Sequence, residues 1–210
     1  MIRILIADDH SVVREGLKQI VQEAGDMVVG GEAANGHEVL QLIHQGDWDV
    51  VLLDINMPGK SGMDVLKQLR GERPRLPVLM LTMYPEEQYA VRALKAGASG
   101  YLTKESIPDE LISAIRKVSS GRKYISSSLA EKLAYDLDMD TEGPLHETLS
   151  DREYEVMCLI ARGETVGSIA DRLCLSIKTI STYRARILEK MKMKKNAELM
   201  HYAIKHNLVE

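Results

Sequence analysis

The sequence predicts an α/β domain built on a five-stranded parallel sheet, followed by a smaller all-α domain. Over the first 120 residues, apolar runs alternate with amphipathic stretches. From Leu149 onward every periodic stretch has helical spacing. Charge divides along the same line, with a net of −4 to residue 120, −3 over 121–147 and +3 over 148–210. An acidic front and a basic back are expected of two domains with different partners.

A chain of 210 residues with 45% hydrophobic content can bury two cores. Phe is absent and aromatics make up 4%, so those cores must be aliphatic. The apolar runs Ile2–Ala7, Met27–Ala33, Val50–Leu53, Val78–Leu81 and Gly100–Leu102 read as strands. Helical spacing is found at 12–24, 37–45, 62–71, 86–96 and 107–119, with Ser11 and Ser106 as N-caps and Gly25 and Gly97 as stops. Residues 121–147 are turn-rich and acidic and read as a linker with partial helical content over 124–136. Helices then follow at about 151–162, 165–173, 177–191 and 196–206. The opening apolar run is too short for a signal peptide or a membrane span, so a cytoplasmic chain is expected. Cys158 and Cys174 lack CxxC spacing and read as buried structural thiols.

The stretch VVLLD, residues 50–54, runs a buried strand straight into a carboxylate, where an unpaired charge is costly. Other strand ends explain it. Asp8 and Asp9 follow the first strand, Thr82 the fourth, and Lys104 lies just beyond the fifth. In a parallel sheet all of these meet Asp54 at one edge. Three carboxylates need a cation among them, and oxygen-only ligands suit Mg²⁺. Asp54 would then be a nucleophile for phosphoryl transfer, with Lys104 neutralising charge and Thr82 donating to a phosphoryl oxygen. Each residue alone has an ordinary reading as a cap, a surface charge or a strand-end hydroxyl. Their convergence does not. His10 is read only as a helix-start residue.

Asp8-Asp9, Asp54-Ile55-Asn56-Met57-Pro58-Gly59, Leu81-Thr82 and Tyr101-Leu102-Thr103-Lys104 resemble the receiver domain of two-component response regulators. The resemblance covers residues 1–120 and implies a flavodoxin-like fold with strand order 2-1-3-4-5. It further implies that a sensor histidine kinase phosphorylates Asp54. Asp9, Asp54 and the backbone carbonyl of Asn56 would ligate Mg²⁺, with Asp8 acting through water. Thr82 would move toward the phosphoryl group and Tyr101 would fill the space it leaves. Asn56 and Tyr84 flank the site.

In the basic segment, Ser150 and Glu153 have capping-box spacing, and Cys174-Leu175-Ser176 forms a short connection between two helices. Lys178–Lys195 holds seven basic residues against one acid, Glu189, as expected of a nucleic-acid-binding helix. Residues 148–210 resemble the LuxR-type helix-turn-helix domain, which makes the whole chain similar to NarL/FixJ-family transcription factors. At 100° per residue, Ile177, Ile180, Ile187, Leu188 and Met191 fall on a core face. Ser181, Thr182 and Ala185 are then the candidates for base edges of promoter DNA, with Lys178, Thr179, Arg186 and Lys190 on phosphates. The chain departs from the family pattern at Thr165-Val-Gly-Ser-Ile169, where a phosphate-reaching Lys is missing, and at Ser181-Thr-Tyr183. It departs again at Arg184, expected to snorkel toward an acid such as Glu153.

Binding as a homodimer is expected of this type, with Met200, Tyr202 and Ile204 as the dimer contact. Two rival readings are a constitutive DNA binder with a dead receiver and a haloacid-dehalogenase-type phosphatase. The second would carry an acid where Asn56 stands and would need a cap domain.

Overall fold

The structure is a computed structural model and describes residues 1–126, 129–131 and 144–209. The chain divides into two compact units, Met1–Ala134 and Tyr135–Glu210. The part of the expected linker at 127, 128 and 132–143 lies outside the described residues.

Unit 1 alternates strands and helices: β1 Ile2–Ala7, α1 Ser11–Glu23, β2 Met27–Ala33, α2 Gly36–Gln45, β3 Val50–Asp54, α3 Gly62–Glu72, β4 Val78–Thr82, α4 Glu86–Lys95, β5 Gly100–Thr103 and α5 Ile107–Ser119. All strand pairs are parallel, in the order β2-β1-β3-β4-β5. The strands β3 and β4 are buried along their whole length, which is why they read as unbroken apolar runs. One sheet face, with Ile4, Ile6, Val50, Leu52, Leu79 and Leu81, packs on Leu17 and Val21 of α1 and Leu111, Ile115 and Val118 of α5. Elsewhere α2 packs on α3, β1 and β2, and α4 on β5.

Helix ends depart from expectation in two places. Ser11 is the first residue of α1 and His10 takes the cap position, with no side-chain cap bond. Ser106 stands at the cap of α5, but its hydroxyl pairs with Thr103 Oγ1 at 2.9 Å instead of with the helix. Gly25 and Gly97 end their helices with φ of +74° and +102°. Beyond α5 the chain turns back along the edge of the sheet, where Tyr124 bridges to Gly100 and its N–H donates to Ser99 O at 2.8 Å. Leu129 is buried in this unit.

Among its described residues, unit 2 opens with a 3₁₀ turn, Leu145–Thr148, and continues with α6 Asp151–Ala161, α7 Val166–Arg172, α8 Ile177–Lys190 and α9 Asn196–Lys205. Its core is α6, buried from Glu153 to Ala161 and packed against the other three helices. Ser150 and Glu153 form the expected capping box. Cys158 is buried as expected, but Cys174 is exposed. The reason is local: Cys174 sits at φ +52° in the tight turn between α7 and α8, and that turn points its side chain outward. Among the described residues no helix is long and apolar enough to cross a membrane.

Candidate phosphorylation site and DNA-facing helix

Parallel register sets the site. Ala7 pairs with Leu53, Asp54 with Leu81 and Thr82 with Thr103, so Asp8, Asp54, Thr82 and Lys104 leave their strands at one edge. Asp54 is only 2% exposed and Asp8 1%. Lys104 answers both: its Nζ lies 2.8 Å from Asp54 Oδ2 and 2.6 Å from Asp8 Oδ2. The first contact is a directed hydrogen bond; the second has only the proximity of an ion pair. Burial pushes the Asp54 carboxyl up to about 6, with Lys104 pulling it down and Asp8 pushing it further up. Burial alone would lower the Lys104 pKa, but Asp54 and Asp8 outweigh it and hold the ammonium above its ordinary value.

One cation does not balance this edge. Ligand atoms of Asp8, Asp9, His10 and Asp54 lie within 4.8 Å of one another. Asn56 Oδ1 is buried there and receives no hydrogen bond, and Asp8 Oδ2 has only the Lys104 ion pair. An unsatisfied oxygen acceptor beside carboxylates that outnumber their cation fits a hard cation. His10 Nδ1 lies 2.7 Å from Asp9 Oδ1, which ties the exposed acid to the start of α1.

Backbone packing shapes the acceptor loop. Gly62 opens α3 directly beneath Asp54; a Cβ there would stand 1.9 Å from the Asp54 carbonyl oxygen. Gly62 N–H also donates to Ile55 O at 2.9 Å. Arg14 reaches Asp8 O at 2.8 Å from the first turns of α1. Neither residue was predicted. A glycine at a helix start was the available signal for the first; nothing in the sequence singles out Arg14.

Thr82 is fully buried and its Oγ1 accepts the Tyr84 N–H at 3.2 Å. The Tyr84 carbonyl in turn accepts the Tyr101 hydroxyl at 2.9 Å, and Tyr101 is 1% exposed. The Tyr84 ring stacks on Tyr89 of α4 with centroids 4.7 Å apart. Thr82 and Tyr101 are thus joined through the main chain of a single residue.

In unit 2, Ser176 caps α8 by accepting the Thr179 N–H at 3.0 Å. Ile180, Ile187 and Met191 fill the core, while Lys178, Ser181, Thr182, Ala185 and Arg186 are exposed and Thr179 half-buried. Ser176, Lys178, Thr179, Thr182, Tyr183 and Arg186 line a shallow groove along the helix. Three expectations change here. Ile177 is 62% exposed, because the first turn of α8 overhangs the core. Lys190, placed on phosphate by the sequence, donates to the buried Glu153 at 2.6 Å. Arg184 therefore does not reach that acid and donates to Asn196 Oδ1 at 2.7 Å. On α9, Tyr202 is half-buried, its hydroxyl 3.0 Å from His146 Nδ1, while Met200 and Ile204, one turn apart, are exposed large apolar residues.

Comparison with known proteins decides the family. Residues 4–116 match the response regulator receiver domain, and residues 147–203 match the bacterial regulatory proteins of the luxR family. The chain belongs to the NarL/FixJ-type response regulators. The response regulator UvrY of Escherichia coli K12 is 37% identical over 210 residues, covering 99% of this chain and 96% of UvrY. The response regulator GacA of Pseudomonas aeruginosa is 36% identical over 211 residues, covering 100% and 99%. Among solved structures, RcsB from Salmonella enterica serovar Typhimurium, bound to promoter rprA in the presence of the phosphomimetic BeF3⁻, matches with a TM-score of 0.66 at 26% identity. That match covers 96% of this chain and 98% of RcsB. As a response regulator of this type, the chain is a phosphorylation-dependent, DNA-binding transcription regulator and not a classical enzyme. The luxR-family match in the second half leaves no cap domain for the phosphatase reading.

Proposed function

We propose that Asp54 is the phospho-acceptor and that its donor is the phosphohistidine of a sensor histidine kinase. The Asp54 carboxylate forms a bond to phosphorus as the donor's N–P bond breaks, with the electron pair leaving on the imidazole nitrogen. The observation that carries this is the Lys104 ammonium seated between Asp8 and Asp54 at the open edge of the sheet. There it neutralises one phosphoryl oxygen as charge spreads over the group. Asp9, Asp54 and Asn56, with Asp8 through water, are the residues that would hold Mg²⁺. When bound, that ion supplies a second positive charge for the phosphoryl oxygens.

Thr82 then turns its hydroxyl to the phosphoryl group. It gives up the Tyr84 N–H as it does so, and the loop carrying Tyr84 repacks against Tyr101. Residues 1–120 act as receiver, 121–147 connect, and 148–210 bind DNA. Ser181, Thr182 and Ala185 meet base edges while Lys178, Thr179 and Arg186 hold phosphates. Lys190 reaches phosphate only by releasing Glu153. Binding is as a homodimer on paired half-sites, with Met200, Tyr202 and Ile204 of α9 at the contact.

Intact mass after incubation with acetyl phosphate and Mg²⁺, beside Asp54→Asn, tests the first step. One phosphoryl group on the parent alone is expected; an unmodified parent refutes it. Equal DNA affinity with and without phosphorylation would refute the coupling to DNA.

A further inference from the structure

The helix α8 begins with an isoleucine that the fold does not use. Ile177 is 62% exposed, while Ile180, Ile187 and Met191 fill the core below it. An isolated exposed isoleucine is ordinary on a protein surface. The position of this one is not. In a helix, residues four apart lie one above the other on the same face, which puts Ile177, Ser181 and Ala185 in one row. All three are exposed. The two upper members of the row are the proposed base-contacting residues, and residues at the start of a recognition helix stand closest to the base edges. Lys178, Thr179 and Arg186 line the groove on one side of this row.

What Ile177 can recognise follows from its chemistry. It has no donor or acceptor to offer a phosphate or a base heteroatom. The apolar feature of the major groove is the C5 methyl of thymine. A β-branched side chain in a helix already holds one dominant rotamer, so little freedom is lost on contact. We propose that Ile177 is a specificity-determining residue that packs on a thymine methyl in each half-site. This rests on the reading of α8 as the DNA-facing helix.

The test uses the full-length chain, phosphorylated with acetyl phosphate and Mg²⁺, and the duplex it selects from a random library. Each thymine of that duplex is replaced in turn by deoxyuridine, which lacks only the methyl group, and affinity is read at fixed salt. One position per half-site is expected to lose about 4-fold, the size of one buried methyl-sized contact. Ile177→Ala should bind the unmodified duplex about 4-fold more weakly, lose its sensitivity at that position, and keep the parent's salt slope. Ile177→Val should keep part of the sensitivity, and both variants should melt as the parent does. Tolerance of deoxyuridine at every position, or an unchanged penalty in Ile177→Ala, overturns the proposal. A chain that selects no sequence at all overturns the reading of α8, and the proposal with it.

Discussion

In the metal-free protein, Asp54 should make the receiver less stable as pH rises. Its carboxyl is pushed up to about 6 from an ordinary 3.8. Between those values the folded state keeps a proton that the unfolded chain has released. Stability from this group is therefore fully present below 3.8 and lost as pH climbs through 6. The shift corresponds to about 3 kcal/mol. The substitution Asp54→Asn isolates it, because an amide resembles the protonated carboxyl in size and neutrality. Near pH 4 parent and variant should be close in stability; at pH 7.5 the variant should be the more stable by up to about 3 kcal/mol. In urea that difference moves the midpoint by roughly 1–2 M for a domain of this size. Trp48, the chain's one tryptophan, lies in unit 1 and reports the unfolding of that unit by fluorescence, in EDTA, across a pH series. Millimolar Mg²⁺ should remove most of the difference. A gap between parent and variant that does not change with pH would show that Asp54 is not desolvated, and the account of the site would fail.

Three further outcomes are expected. Gly62→Ala drives a Cβ to within 1.9 Å of the Asp54 carbonyl oxygen, so the acceptor loop must shift. It should cost about 1–3 kcal/mol in thermal or urea unfolding and slow phosphorylation by acetyl phosphate in the mass assay. Tyr101→Phe removes the donor to Tyr84 O and should cost about 1 kcal/mol in Trp48-detected unfolding. Glu153→Gln weakens the capping box and the Lys190 pair, at about 1–3 kcal/mol in the melting of unit 2. It also frees the Lys190 ammonium for DNA, and the slope of log affinity against log salt should steepen by about 0.9.

The sheet and the meeting of Asp8, Asp54 and Lys104 at its edge were legible because period and position suffice for both. Four apolar residues ending in Asp54 define a strand and its terminus, and parallel pairing then brings Lys104 to the same edge without further information. What was missed depends on geometry between elements or on a single dihedral. A helical wheel treats α8 as endless, so it placed Ile177 in a core that stops one turn later. Spacing along α8 says nothing of Glu153 on α6, which takes Lys190. Nor does it reveal His146, whose ring meets the Tyr202 hydroxyl. Cys174 was assigned by residue type, but the turn it occupies, at φ +52°, is exposed. The demand at Gly62 comes from an atom eight residues away in sequence.

The link between Thr82 and Tyr101 runs through main-chain atoms of Tyr84, an N–H on one side and a carbonyl on the other. Such a link survives almost any change of side chain at position 84. The Tyr84 ring meets a separate requirement, its contact with Tyr89, on which the connection does not depend. Only proline, which has no N–H, would sever the Thr82 side at the backbone itself. Comparing side chains at position 84 would therefore understate its part in the proposed switch, and alanine scanning would pass over it. A proline scan, or an ester in place of the amide between Met83 and Tyr84, would find it.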